Sequence, residues 1–497
     1  MKRTVYPNLQ KTVFILVCII LAECCLLTSG RLFSIGPLSF RMIMIGIAGL
    51  LCIPFLVKNL FSLLRNPFVI GVCLFFLVLF IGFVRAVLGN QELSFAVYMI
   101  KGCLYLVWLP ILLFAVQNRR QMEILFGIVV VCGSLISLFT IAVSFIGIHK
   151  NEWITPLYYF ITDHSYGMQY MSTNHLSRLL PGGVMAEIAA CGFGGYFYMV
   201  YPSLRRWCAL LTGINLIGIW LTYTRGVYLG TGIAVLIMTV LCLMGGPVVR
   251  KQFARFVGSS VAVLAVITIL LGCVNQCGIM SYGLLRLSSG TPLAPIGQAA
   301  YERTLGKFTP PASTEEPDGE PGGETEPGGE TEPGGETGSG TQGELVLPDL
   351  EIDKGREEVS ASVRSEMTVL LNELIQKNPW FGNGLGAHID LRDGYVEMQW
   401  HDFVSKIGIM GTAILLVPMG ILLVRVFKRG GRQIRSKEGM DVLYLAQVAA
   451  VVGVIAPMVS SFTNPYLLGG LGLFFYCLPM RLFSMKNTRI EGFEQHD

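Results

Sequence analysis

Residues 378–411, NPWFGNGLGAHIDLRDGYVEMQWHDFVSKIGIMG, join a polar helix to an apolar one. Asn378 precedes a proline and predicts the end of the first helix, because the residue before proline is pushed out of the α region. Three glycines follow at alternate positions: Gly382, Gly384 and Gly386. Glycine permits either a tight turn or a close approach of the backbone to a ligand. Because an apolar run at 407–424 comes next, the stretch predicts a glycine-rich loop at the boundary between water and a membrane.

The composition places most of the remaining chain in the membrane. Of its 497 residues, 53% are hydrophobic and 14% are charged, and apolar runs of about twenty residues recur along it. This pattern predicts an all-α polytopic membrane protein with about twelve transmembrane helices and a large outer loop between spans nine and ten. The predicted spans are 12–29, 38–57, 68–88, 98–116, 123–147, 180–201, 206–222, 226–245, 254–274, 403–426, 443–462 and 465–483. The thirteen cysteines lie almost wholly inside these runs, so neither a disulfide framework nor a metal site is predicted.

The basic residues predict how the chain crosses the membrane. With both termini in the cytoplasm, every loop on that side carries Lys or Arg, as the positive-inside rule requires. The chain then divides into a membrane domain with spans 1–9 (residues 1–275), an extracytoplasmic loop (276–402), a membrane domain with spans 10–12 (403–483) and a cytoplasmic tail (484–497).

The outer loop has a low-complexity part and a helical part. The unit EPGGET occurs three times within residues 320–337, and the surrounding stretch 313–345 has too few apolar residues to form a core. We expect this stretch to be an acidic, disordered tether. Residues 356–377 carry apolar side chains at helical spacing and predict an amphipathic helix on the outer membrane face. Arg364 lies on this helix, which leads directly into the glycine-rich loop.

Some basic residues oppose the positive-inside rule because they fall on the outer face. They include Arg85, Lys101, Arg178, Arg225 and Arg364. A guanidinium in such a place can bind a phosphate through two parallel hydrogen bonds, which a lysine cannot do. Arg225 in particular lies in the short turn between spans seven and eight. The alternative is that each arginine only reaches toward lipid headgroups.

Two proton-handling side chains stand at the start of the tenth span. The pattern is helical from Tyr395 on, and Glu397 and His401 are four residues apart, so they are expected to lie on one face of the helix. A carboxylate beside an imidazole orients the ring and fixes its tautomer, so the two are expected to form a pair. Alternatively, His401 only anchors the span at the interface together with Trp400. If neither residue accepts a proton, His175 and His388 are the next candidates.

Three motifs of this chain resemble those of the O-antigen ligase and polymerase superfamily. LTYTRGVY at 221–228 is similar to the family's Ser-Arg-Gly-Ala turn, with Thr224 in place of serine. Arg364 followed by NPWFGNGLG resembles the family's arginine, helix and glycine turn, and KIGIMG at 406–411 resembles the opening of its next span. The order and spacing also agree, and Ser-Phe-Thr-Asn-Pro at 461–465 is similar to a break before the family's last span. Members of this family move glycans from a polyprenyl-diphosphate carrier on the outer face of the bacterial membrane.

The resemblance implies a polysaccharide ligase or polymerase of the bacterial plasma membrane. No aspartate pair in a metal-binding context stands out in the sequence, so we expect no metal, and no other cofactor is predicted. The partners of such an enzyme would be a polyprenyl-diphosphate-linked glycan and a glycan, lipid or wall acceptor, with no role for nucleic acid. The departing diphosphate needs charge stabilisation, and the attacking sugar hydroxyl needs a base. On this basis Arg225 and Arg364 hold the diphosphate, and Arg178 is a further candidate.

The identity of the base stays open at this point. Where the ligases carry a His-Asn pair, this chain has Glu397-Met398, and His401-Asp402 follows one turn later. Either Glu397 replaces the family's histidine, or His401 supplies the imidazole. The class of protein also has an alternative, a multi-pass transporter of a small solute or lipid-linked intermediate. It is less favoured because the exceptional charges cluster at the outer face, whereas carriers bind substrates near the bilayer midplane.

Overall fold

The computed structural model describes the membrane helices and many of the loops between them. The described residues are 7–26, 34–35, 38–146, 169–173, 176–180, 183–273, 350–390, 396–435 and 440–484, with a few short helical pieces between 284 and 299. The predicted tether 313–345 lies outside the described residues, as do His175 and the predicted tail beyond Ser484.

Helices dominate the described part of the chain. In chain order they are α1 (Pro7–Leu26), α2 (Phe40–Leu63), α3 (Pro67–Leu88), α4 (Leu93–Cys103), α5 (Trp108–Ala115), α6 (Arg119–Ile146), α7 (Val184–Val200), α8 (Arg205–Leu221), α9 (Arg225–Met244), α10 (Gly246–Cys273), α11 (Leu350–Lys377), α12 (Gln399–Arg435), α13 (Val442–Ser460) and α14 (Gly470–Phe483). Short 3-10 turns connect α4 to α5 (Leu104–Val107) and α7 to α8 (Pro202–Leu204). Two antiparallel hairpins are also present, β1 (Ser34–Ile35) with β2 (Leu38–Ser39), and β3 (Gln169–Thr173) with β4 (Leu176–Leu180).

These elements confirm an all-α polytopic membrane protein. Within the described residues, nine helical stretches are long and apolar enough to cross a bilayer, and α4 and α5 together count as one of them. α7 and α14 are apolar but shorter, and α8 coincides with the remaining predicted span. The number of twelve spans therefore stays a prediction. The tenth span begins at Gln399 and not at residue 403, because its polar first turn is already helical. The amphipathic helix likewise begins earlier than predicted, at Leu350.

The core of the bundle is built around α13. Most residues of this helix are buried, and it packs against α7, α9 and α14. Glycines allow the helices to approach closely, as small residues do at interfaces between membrane helices. A Cβ on Gly192 of α7 would lie 3.1 Å from Cγ1 of Val452, and one on Gly230 of α9 would overlap Oγ of Ser460. A larger side chain at either position would push α13 away.

The two ends of the bundle are held by different polar contacts. At one end the turn between α8 and α9, the start of α12 and the end of α13 come together. We call this the site end, and the charge pattern predicts that it is the outer one. Glu23 of α1 and Arg41 of α2 form a buried ion pair of 2.7 Å near this end. At the opposite end Arg429 of α12 pairs with Asp441, just before α13, at 2.8 Å.

Candidate functional site

The glycine-rich loop completes a break in α12. At Gly408 the backbone leaves the helical conformation, with φ 72° and ψ 179°, so α12 consists of two helical segments. Four backbone hydrogen bonds of 2.8–3.1 Å join the loop to these segments: Asn383 N to Ser405 O, Gly384 N to Lys406 O, Ile409 N to Pro379 O, and Met410 N to Trp380 O. The loop thereby satisfies peptide groups that the interrupted helix leaves unpaired, as a segment inside a membrane requires.

Only glycine fits at this break. The conformation of Gly408 is one that other residues rarely adopt, and a Cβ there would lie 2.5 Å from the amide nitrogen of Gly382 and would overlap the Trp380 carbonyl. Gly382 and Gly384 also have positive φ angles, of 68° and 104°. A Cβ on Gly382 would overlap the backbone near Gly408 in the same way. The sequence left open a tight turn or a close approach to a ligand. The contacts show a further role for the glycines, which is close approach of the loop to the chain's own backbone.

The loop is also docked onto the connection between α3 and α4. Nη1 of Arg85 donates to the carbonyl of Phe381 over 2.9 Å. Nε2 of Gln91 donates to the carbonyl of Asn383 over 2.7 Å, and a Cβ on Gly386 would lie 2.7 Å from Cβ of the same glutamine. Arg85, one of the basic residues predicted on the outer face, thus has a structural partner in the loop.

Asn383 ties together the two helices that flank the loop. Its side-chain Nδ2 donates to the carbonyl of Leu374 in α11 over 2.7 Å and to the carbonyl of Ser405 in α12 over 3.0 Å. The importance of this residue could not be predicted from the sequence, because an asparagine between glycines is typical of any turn. By joining α11 to the first segment of α12, Asn383 helps to set the position of Arg364.

α11 brings Arg364 into contact with Glu397. Nε and Nη2 of Arg364 both donate to Oε2 of Glu397, over 3.0 and 2.9 Å. The arginine side chain is 41% exposed and the glutamate side chain 20%, so the pair is accessible at the site end. Both hydrogen bonds use one carboxylate oxygen, and the guanidinium has further N–H groups with which it can bind an anion. Two residues that the sequence assigned to diphosphate binding and to proton transfer therefore lie side by side.

The predicted relation between Glu397 and His401 is wrong in one respect. α12 begins at Gln399, so Glu397 precedes the helix and the two side chains do not share a helical face. Glu397 turns instead toward Arg364. His401 lies in the first turn of α12, where its Nδ1 is buried and makes no hydrogen bond within the described residues. That the two residues act as a pair stays a prediction.

The start of α12 is anchored to the segment 461–469, which joins α13 to α14. Oε1 of Gln399 accepts hydrogen bonds from the amides of Leu467 and Leu468, over 3.0 and 3.4 Å. Nε1 of Trp400 donates to the carbonyl of Met458, near the end of α13, over 2.8 Å. Gln399 is thus another residue that positions the site and that the sequence did not reveal, since its partners are backbone amides far along the chain.

The turn that carries Arg225 meets the same segment. Arg225 is the first residue of α9, and its side chain is exposed. A Cβ on Gly226 would overlap the hydroxyl of Thr463, and Oγ of Ser460 donates to the carbonyl of Gly226 over 3.0 Å. The segment 461–469 therefore connects the Arg225 turn to the start of α12, so the motifs that carry the family resemblance converge at one end of the bundle.

The remaining candidates lie in other surroundings. Arg178 is in β4, opposite Met171 of β3, and this strand packs against α6. The ring of His388 packs against Phe95 of α4, with 4.5 Å between ring centroids, and its Nδ1 is 3.1 Å from the carbonyl of Gly386. His388 therefore takes part in the docking of the loop, whereas Glu397 lies directly against Arg364.

Fold and contacts together define a multi-pass, all-α membrane protein with a polar, partly exposed site at one end of its helical bundle. No protein-family model matches the chain, and no curated protein matches it. A functional assignment therefore rests on the motifs and on the contacts among them.

Proposed function

We propose that the chain is a metal-independent glycan transferase, a polysaccharide ligase or polymerase that acts on a polyprenyl-diphosphate-linked saccharide at the outer face of the bacterial plasma membrane. The observation that carries this proposal is the contact between Arg364 and Glu397, at 2.9 Å. A cation for the leaving diphosphate of the donor and a base for the attacking hydroxyl of the acceptor must lie at one reaction centre. The family resemblance assigned these roles to residues 33 positions apart in the chain, and they are neighbours in space.

In the proposed reaction, a hydroxyl of the acceptor attacks the anomeric carbon of the donor sugar. The bond between that carbon and the diphosphate oxygen breaks, and polyprenyl diphosphate leaves with the electron pair. The proton of the hydroxyl passes to Glu397 or His401. Negative charge grows on the diphosphate as the bond breaks, so Arg225 and Arg364 would act where the charge develops. Arg178 is a further candidate for the same phosphate groups.

The contacts support each of the two possible bases in a different way. Arg364 orients the carboxylate of Glu397, and a group that is already oriented needs no reorganisation at the moment of reaction. An incoming diphosphate would compete for Arg364 and so release Glu397 toward the acceptor hydroxyl. His401 offers an imidazole whose Nδ1 has no hydrogen bond within the described residues. Only the first assignment connects donor binding to activation of the base.

A transporter remains the alternative class, because carriers bind their substrates around broken membrane helices. α12 is such a helix, with its break at Gly408. However, the carbonyls of Ser405 and Lys406 at this break accept hydrogen bonds from the glycine-rich loop. These are the groups that a carrier would present to an ion, so their pairing within the chain supports a transferase over a carrier.

Arginine-to-lysine substitutions test the proposal. R225K and R364K keep the charge but lose the paired hydrogen bonds to phosphate, so turnover of polyprenyl-diphosphate-linked substrate should fall about ten- to a thousandfold in each. R429K is the matched control, because Arg429 forms an ion pair of similar exposure at the opposite end of the bundle, and it should keep wild-type turnover. Near-normal rates in both R225K and R364K would mean that these arginines only contact lipid headgroups, and the proposal would lose its basis.

A further inference from the structure

A second polar cluster lies inside the membrane domain and includes an acidic residue. Glu187 occupies the first turn of α7 and is completely buried. Within the described residues, neither of its carboxylate oxygens makes a hydrogen bond. An ionised carboxylate without a partner is strongly disfavoured in an apolar interior, where such a group takes up a proton and becomes neutral. Glu187 is therefore expected to be a carboxylic acid in this conformation.

The nearest polar groups come from the two helices that flank α7 and are uncharged. Ser137 of α6 faces the Glu187 carboxyl, although the two groups do not meet the geometry of a hydrogen bond. Its Oγ donates to Oδ1 of Asn215 in α8 over 3.0 Å, and Nδ2 of Asn215 donates to Oγ of Ser134 over 2.9 Å. On α7 itself, Cys191 lies one turn further along. No basic side chain takes part in this set of described contacts.

Most described contacts of α7 with its other neighbouring helices are apolar, but two are polar. Oγ of Ser259 in α10 donates to the hydroxyl of Tyr198 over 3.3 Å, and the carbonyl of Cys25 in α1 lies against Gly183, one turn before Glu187. Among the apolar contacts, α13 contributes Val452 at Gly192, α9 contributes Met238 and α10 contributes Phe256 at Gly195, and α14 contributes Phe475 against Phe193. These apolar contacts lie further along α7 than Glu187. The described surroundings of the carboxyl group thus offer hydroxyls and an amide, together with an apolar packing shell.

Buried hydroxyls along α6 lead from this cluster toward the site end. Ser134, Ser137, Thr140 and Ser144 recur at helical spacing, so they lie on one face of α6, and all four are buried. Oγ1 of Thr140 makes no hydrogen bond within the described residues. From Ser137 to Ser144 the helix rises about 10 Å, and it ends at Ile146. A hydroxyl can both accept and donate a hydrogen bond. Side chains one turn apart on a helix have Cβ atoms about 5–6 Å apart, so the row can pass a proton along when water molecules complete the hydrogen bonds between its members.

We propose that Glu187 is a proton-binding site inside the membrane domain and that it exchanges its proton with the site end through the hydroxyls of α6. In the binding step, a carboxylate oxygen takes up one proton and the group loses its charge. In the release step the proton leaves and the carboxylate is restored. The ligand is the proton itself. The site involves neither Arg364 nor Glu397 and does not depend on the proposed glycan transfer.

Infrared spectroscopy of the full-length protein in lipid vesicles tests this proposal. At neutral pH we expect a C=O stretching band of a protonated carboxylic acid that is lost in E187Q. The band should disappear reversibly as the pH is raised, and it should shift when the vesicles are transferred to deuterated water. T140V keeps the shape of the side chain but removes one hydroxyl of the row, so it should slow this shift severalfold. T231V is the matched control, because the Thr231 hydroxyl donates to Val227 within its own helix, and it should exchange at the wild-type rate.

Three results would overturn the proposal. If E187Q removes no band from the neutral-pH spectrum, Glu187 is ionised and holds no proton. If the Glu187 band persists at every pH and never exchanges, the residue is a permanently neutral structural acid. If T140V and the wild type exchange at the same rate, the hydroxyls of α6 are not the path. Should E187Q fail to fold, E187D serves in its place: it should move the band, and an unmoved band would belong to another carboxyl group.

Discussion

Replacing Gly408 with alanine should detach the glycine-rich loop from α12. The backbone at this position has φ 72° and ψ 179°, and holding a residue other than glycine there costs roughly 1–3 kcal/mol. The new Cβ would also lie 2.5 Å from the amide nitrogen of Gly382 and overlap the Trp380 carbonyl, so the loop must move. Loss of even two of its backbone hydrogen bonds to α12 adds about 1–3 kcal/mol. We therefore expect G408A to lower the free energy of unfolding by on the order of 2–6 kcal/mol.

Gly420 offers a control in the same helix. A Cβ at Gly420 would meet nothing within 4 Å, and alanine favours a helix over glycine by about 0.5–1 kcal/mol. G420A should therefore be as stable as the wild type or slightly more stable. Titration with a denaturing detergent in mixed micelles measures the free energy of unfolding, and limited proteolysis of residues 378–395 reports detachment of the loop. Equal stability and equal cleavage rates in G408A and G420A would refute the role assigned to the loop.

Further predictions concern the base, the repeat and the loop. E397Q and H401A should distinguish the candidate bases in purified protein. The variant that lacks the true base should lose roughly a hundredfold or more in turnover, and the other variant should lose less. Wild-type turnover in both variants would mean that another residue accepts the proton. Deletion of residues 320–337 should leave transfer nearly intact, because the closure cost of a flexible loop changes slowly with length; complete loss of activity in a stably expressed deletion would mean that the repeat binds a ligand. N383A should lower the free energy of unfolding by about 1–3 kcal/mol, whereas N59A, whose amide donates within its own helix, should change it less; equal effects would contradict the bridging role of Asn383.

The helices could be predicted because the bilayer restricts what an apolar run can do. Its backbone groups must be paired inside the segment, which selects a helix. The end of α11 at Lys377 likewise followed from the Asn-Pro pair that comes next. The break at Gly408 could not be predicted, because glycine is frequent in membrane helices that continue without interruption. What makes the break possible is a separate loop that supplies the missing hydrogen bonds.

The candidate site could be predicted by residue type but not by arrangement. The need for a cation beside the departing diphosphate and for a base beside the attacking hydroxyl, together with the family resemblance, pointed to Arg364 and Glu397 individually. Their contact depends on where α12 begins. The sequence predicted a helix that already included Glu397, which placed its side chain on the same face as His401, whereas the helix begins at Gln399. The start of α12 is held by tertiary contacts such as those of Gln399 with the amides of Leu467 and Leu468. Contacts between a side chain and a distant backbone leave no periodic signal in a sequence.

The most direct test of the proposed function is glycan transfer by the purified protein in lipid vesicles supplied with a polyprenyl-diphosphate-linked saccharide and an acceptor. We expect release of polyprenyl diphosphate together with a lengthened or acceptor-linked glycan, undiminished by a metal chelator and strongly slowed in R364K but not in R429K. Accumulation of a labelled solute inside the vesicles, with the polyprenyl-linked glycan unchanged, would contradict the proposal and identify a carrier.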